Sequence, residues 1–105
     1  MNTLKSYQKK YLRGLAHGIK PTVIIGHKGF TASVARSIDE ALNSHELIKV
    51  KFIDFKEKEQ KQNIAGVIEQ KNACEMAGLI GHTAIFYRRH KDPRKRKIKL
   101  PQREP

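Results

Sequence analysis

The stretch that constrains the fold most is Thr22-Val23-Ile24-Ile25-Gly26-His27-Lys28-Gly29-Phe30-Thr31. Its first four residues are all β-branched, a run short enough for a strand and apolar enough to be buried. Two glycines three apart follow, and Thr31 is then placed to cap a helix. Val34, Ile38, Ala41 and Leu42 recur at helical spacing and predict a helix over residues 32–43. A second strand over residues 47–53 alternates, with Ile48, Val50 and Phe52 on one side and Leu47, Lys49, Lys51 and Ile53 on the other. Strand, loop, helix and strand make a βαβ unit, whose crossover between parallel strands is almost always right-handed. Ligands in sheets of this kind collect beyond the strand carboxyl ends. The glycine loop stands at such an end.

The rest of the chain builds around this unit. Over residues 3–17, Leu4, Tyr7, Tyr11, Leu12 and Leu15 predict the inner side of an amphipathic helix, with Lys5, Lys9, Lys10 and Arg13 on the outer side. Gly18 and Lys20-Pro21 end it. Glu57, Lys58, Glu59 and Lys61 read as solvated charges near the start of a third helix, which Ile64, Val67 and Ile68 mark and Asn72 ends as a left-handed cap. Residues 76–80 and 83–87 predict a hairpin turning at Gly81-His82, with Gly78 marking a bulge. Beyond it Arg88, Arg89, Lys91, Arg94, Lys95, Arg96, Lys97, Lys99 and Arg103 are offset only by Asp92 and Glu104. That composition predicts one folded domain over residues 1–89 and an extended basic tail over residues 90–105, pinned near Ile98-Lys99-Leu100-Pro101 by its two aliphatic side chains.

Charge narrows the partner. Twenty-two basic residues against 10 acidic ones give +12 at neutral pH, a self-repelling excess that a polyanion best explains. Nucleic acid comes first and an anionic membrane surface second. Six basic residues and no acidic one precede Thr31, which favours a binding surface, although a solvated helix face accounts for the same pattern. The single cysteine, Cys74, permits no internal disulfide and reads as a buried thiol in a reducing compartment. The longest aliphatic run, Val23-Ile24-Ile25, is far short of a membrane span, and early lysines break any secretory signal. A cytoplasmic address follows as an expectation.

The loop's chemistry is that of an anion site. Gly26 and Gly29 allow positive φ and close approach of a ligand, His27 and Lys28 sit at the tip, and the following helix offers its amides and positive dipole end. The motif is neither the dinucleotide fingerprint nor the nucleoside-triphosphate loop. It does match the loop by which some RNA-binding modules clamp backbone nucleotides, and a merely shaped turn is the other reading. Phe30 beside it is a candidate for base stacking or for the core. His17, His27, His45, His82 and His90 lack metal-ligand spacing, and the adjacent acids Asp39-Glu40 face different directions. No catalytic set, metal or cofactor is expected.

Taken in order, Tyr11-Leu12-Arg13-Gly14-Leu15-Ala16-His17, Lys20-Pro21, Ile25-Gly26-His27-Lys28-Gly29-Phe30-Thr31, His45-Glu46-Leu47-Ile48-Lys49-Val50-Lys51, Ile80-Gly81 and Tyr87-Arg88 closely resemble the bacterial stand-alone CRM-domain proteins, the YhbY-like family. The resemblance runs from Gln8 to about Pro101. It implies an α/β (α+β) domain of αβαβαββ order with a four-stranded mixed sheet, KH-like and similar to the carboxyl-terminal domain of bacterial initiation factor three. It also implies RNA binding through the glycine loop and nearby basic surface, and association with precursors of the large ribosomal subunit. Asn72, where the family often has Gly, and Ala77-Gly78, within a strand usually richer in branched residues, depart from the pattern.

Together these readings give a noncatalytic, monomeric RNA-binding protein that assists ribosome assembly. Its expected partners are ribosomal RNA, the precursor large subunit and ribosomal proteins, with no membrane. The expected RNA-binding residues are Gly26, His27, Lys28, Gly29, Lys5, Lys9, Lys10, Arg13, Arg88, Arg89, Arg94, Lys95, Arg96 and Lys97. The alternative is a protein–protein adaptor in ribosome assembly, held near RNA only by its charge.

Overall fold

The computed structural model describes residues 3–102. Arg103 and Glu104, counted above in the basic run, lie outside them. The elements in chain order are α1 (Ser6–Ala16), β1 (Val23–Ile25), α2 (Ala32–His45), β2 (Leu47–Phe52), α3 (Lys58–Asn72), β3 (Glu75–Ile80) and β4 (Thr83–Tyr87), followed by a short 3-10 turn (Pro93–Lys95). The sheet order is β1-β2-β4-β3. β1 pairs with β2 in parallel and the other two pairings are antiparallel, so the predicted mixed sheet of four strands is observed. Thr31 caps α2 as its position suggested, its Oγ1 accepting the Val34 amide at 3.1 Å.

The two sides of the sheet bury separate apolar clusters. On one side α2 and α3 press Ile38, Leu42, Ala65 and Ile68 onto Ile25, Ile48, Val50, Phe52 and Phe86. On the other, α1 brings Leu12 and Ala16 against Leu47, Ala77, Ile85 and Tyr87. The alternation read along β2 is therefore real, with the second side covered only in part. Each fully buried aliphatic or aromatic side chain stabilises the fold by about 1.5–3 kcal/mol relative to an exposed one.

Several expectations need correction. The buried column of α1 is Gln8, Leu12 and Ala16, four apart, with Leu4 buried just ahead of the helix, while Tyr11 and Leu15 lie on its flank and stay about 40 % exposed. An apolar stripe on a helix spans more than one column, and the sheet decides which column turns inward. Lys61, read as solvated, is buried and its Nζ donates to the Gly81 carbonyl at 2.6 Å. Asn72 does not form the left-handed cap. Ala73 does, at φ 49°, while Asn72 turns inward and its Nδ2 donates to the Ala35 carbonyl and to Asp39 Oδ1, both at 2.9 Å. Gly78 does mark a register shift in the β3–β4 ladder.

The segment after Tyr87 is held on the domain. Glu46, just past the end of α2, is 1 % exposed and has a positive φ of 61°. Its carboxylate accepts the backbone amides of His90 at 2.8 Å, Lys97 at 2.6 Å and Ile98 at 3.1 Å. Ile98 and Leu100 pack on the α1 cluster, and Gln8 Nε2 donates to the Pro101 carbonyl at 3.2 Å. The aliphatic pin expected at Ile98 and Leu100 is thus observed. The polar anchor at Glu46 was not foreseen.

Candidate nucleic-acid interface

The glycine loop leaves β1 at Ile25 and closes as a turn, the Gly29 amide donating to the Gly26 carbonyl at 3.0 Å. The two glycines differ. Gly29 is buried at φ 70°, and a Cβ there would stand 3.3 Å from the Phe55 ring. A Cβ on Gly26 would meet nothing within 4 Å, and Gly26 does not need positive φ. Gly29 therefore shapes the turn from beneath, while Gly26 keeps its surface low. His27 and Lys28 are exposed at the tip, and Phe30 packs into the core rather than offering a free ring.

Behind the loop lies the mouth of α2. Thr31 takes the amides of Val34 and Ala35 through its hydroxyl and carbonyl, which leaves those of Ala32 and Ser33 without an intramolecular acceptor among the described residues. Two free amides and the positive dipole end thus lie just after the loop that carries the exposed Lys28. The β3–β4 turn stands at the same end of the sheet, tied to β2 by a 2.7 Å bond from the Phe52 amide to the His82 carbonyl.

The basic residues do not form a single patch with this loop. Lys5 and Lys10 are exposed on α1 and Lys9 is half-buried there. Arg13 lies across β3, its Nη1 donating to the Ala77 carbonyl at 2.8 Å and its stem occupying the space a Gly78 side chain would fill. Arg88 is drawn inward too. Its Nη1 donates to Asp39 Oδ1 at 2.8 Å and to the Asn72 carbonyl at 2.7 Å, and its Nη2 to Asn43 Oδ1 at 3.0 Å. Arg89 and Lys95 are exposed. Arg94 pairs with Asp92 at 3.2 Å, Arg96 donates to the His90 carbonyl at 2.9 Å, and Lys97 Nζ donates to the Ser44 carbonyl at 3.0 Å.

Those last contacts place the basic segment at the carboxyl end of α2, whereas the loop is at its amino end. A helix of that length holds the two about 20 Å apart at 1.5 Å per residue. The loop and the basic segment are thus two separate cationic surfaces. Sequence reasoning missed the roles of Asp39, Asn72 and Glu46, which hold Arg88 and the segment in place, because their partners lie far along the chain.

The hydrogen bond from Asn72 and the Arg88 guanidinium hold the Asp39 carboxyl below its ordinary range, although burial pulls the other way. Burial pushes the Cys74 thiol up to about 12, so it stays protonated at neutral pH. Burial also raises the Tyr87 phenol. Among the described residues no group of three His, Cys, Asp or Glu side chains could hold a metal ion, and no helix is long and apolar enough to cross a membrane.

The family model for the CRS1 / YhbY (CRM) domain matches residues 4–88. A Haemophilus influenzae protein named "RNA-binding protein" is 40% identical over 103 residues, which is 98% of this chain and 100% of the relative. "Probable RNA-binding protein YqeI" of Bacillus subtilis is 32% identical over 98 residues, 93% of this chain and 99% of the relative. The solution structure of a Staphylococcus aureus protein superposes with a TM-score of 0.82 at 33% identity, covering 94% of this chain and 100% of that one.

Proposed function

For a chain that belongs to the CRS1 / YhbY (CRM) domain family, we propose a noncatalytic role as an RNA-binding protein that associates with precursors of the large ribosomal subunit and assists their assembly. The observation that carries this reading is the exposed Lys28 on a turn kept low by glycine at the mouth of α2, in a chain with a +12 excess. Phosphate oxygens suit that region, because the site offers donors and positive charge and the low turn lets a backbone approach. The RNA-binding names of the relatives support the partner class. The exposed cations of α1 and of the segment after Tyr87 extend the contact across the surface.

Salt dependence tests the proposal. If about six phosphates are neutralised, log affinity for ribosomal RNA should fall against log salt with a slope of about −4 to −5. Lys28→Ala removes an exposed side chain that the fold does not use, and should flatten that slope by about one. Gly29→Asp is the poorer probe, since φ 70° and the nearby Phe55 ring would strain the turn itself. In cell extracts the protein should co-sediment with large-subunit precursors. A flat salt response would refute the RNA reading, and sedimentation apart from those particles would refute the assembly role.

A further inference from the structure

The side of the sheet that carries α1 is covered only at one end. Across its uncovered end the register aligns Ile24 with Lys51, Lys51 with Thr83, and Thr83 with Ile80, one residue from each strand. Residues directly opposite one another in a sheet project on the same side. Ile24 is 54 % exposed and Ile80 62 %, both large fractions for isoleucine, and Lys51 is exposed between them. Lys49 lies on the same side, two residues back along β2. Neither the row nor Lys49 contributes a carboxylate. The glycine loop begins two residues after Ile24.

We propose that this row is a platform for the bases of a single-stranded RNA segment whose phosphates run past Lys51 and Lys28. The proposal rests on the RNA-binding reading above and names the form of RNA that this face takes. Three inter-strand steps span about 14 Å, room for a short run of nucleotides. Apolar patches separated by a lysine suit a ligand that alternates flat apolar faces with negative charge. A protein partner suits it less, because lysine is depleted from protein interface cores and four residues fall well short of a stable interface. A duplex hides its base faces and would leave both isoleucines in water. On this reading one end of the sheet makes two kinds of contact, phosphate at Lys28 and Lys51 and base at the isoleucines.

The variant is Ile24→Ser with Ile80→Ser, chosen because both side chains are more than half exposed and contribute little to the core. Circular dichroism and urea unfolding verify its fold. The probes are a short oligoadenylate and a fully paired RNA duplex of equal length. The double variant should bind oligoadenylate about tenfold more weakly through lost apolar contact, with the duplex affinity unchanged and the salt slope unchanged, because no counterion release is involved. Equal affinity for oligoadenylate, or an equal loss on both probes, overturns the platform. If affinity is unchanged but co-sedimentation with precursor particles is lost, the row belongs to a protein partner and the proposal falls. The two readings fail differently: a platform failure leaves the Lys28→Ala effect on ribosomal RNA standing, whereas a wild-type protein that does not bind ribosomal RNA ends both.

Discussion

Replacing Gly78 with alanine tests whether Arg13 is part of the fold. Gly78 lies in β3 with φ outside the left-handed region, so its backbone accepts alanine. The added Cβ would stand 2.6 Å from Arg13 Cδ, closer than real contacts come, and 3.1 Å from its Cγ, a tight contact. Arg13 must therefore lift away, and its 2.8 Å bond to the Ala77 carbonyl breaks. A hydrogen bond from a charged donor stabilises by about 1.5–3 kcal/mol, while alanine for glycine in a strand regains about 0.5–1 kcal/mol. The net loss is about 1–2 kcal/mol, a fall in urea midpoint of roughly 0.5–1 M for a small domain. In an Arg13→Ala background the clash is absent and Gly78→Ala should change sign, stabilising by about 0.5–1 kcal/mol. Urea unfolding of the four proteins closes a double-mutant cycle with a coupling energy of about 2 kcal/mol. If Gly78→Ala costs the same in both backgrounds, the contact between Arg13 and β3 has no energetic content and the packing argument fails.

Two further outcomes follow from the polar contacts. The Asp39 carboxyl is held below its ordinary range by the Asn72 hydrogen bond and Arg88. Its stabilising contribution is therefore full above the unfolded value near 3.9 and lost as pH falls through the lower folded value. The stability gap between wild type and Asp39→Asn, followed by urea unfolding, should shrink as the solution is taken from neutral to about pH 2; a gap independent of pH refutes the assignment. Glu46→Gln turns one acceptor oxygen into a donor facing a backbone N–H, and should cost about 1–3 kcal/mol and speed tryptic cleavage after Arg96 and Lys97. Ending the chain at Arg96 should expose the same carboxylate and lower the urea midpoint as well. Protease resistance equal to wild type in Glu46→Gln would show that the segment is held by Ile98 and Leu100 alone.

The local features of the sequence were legible because their causes are local. A β-branched run, two glycines and a threonine within ten residues determine a strand, a turn and a cap with no distant partner, and the period of β2 placed Val50 and Phe52 correctly. The polar framework was not legible. Arg88 finds Asp39 from 49 residues away, Lys61 finds the Gly81 carbonyl across 20, and Arg13 reaches Ala77 across 64. Periodicity reports which side of an element faces inward and says nothing about which donor meets which acceptor. Basic composition made Arg13 and Arg88 look like parts of one outward surface, yet the fold uses both guanidiniums internally.

The anchor at Glu46 also sets an order of events during synthesis. The carboxylate is made 51 and 52 residues before the Lys97 and Ile98 amides that receive it. Until those residues have been added, burying Glu46 would strand a charge with too few donors, which costs several kcal/mol. The growing chain can form its helices and pair its strands, but the start of β2 cannot settle into its native surroundings early. The domain is locked from its far end, by nearly the last of its described residues.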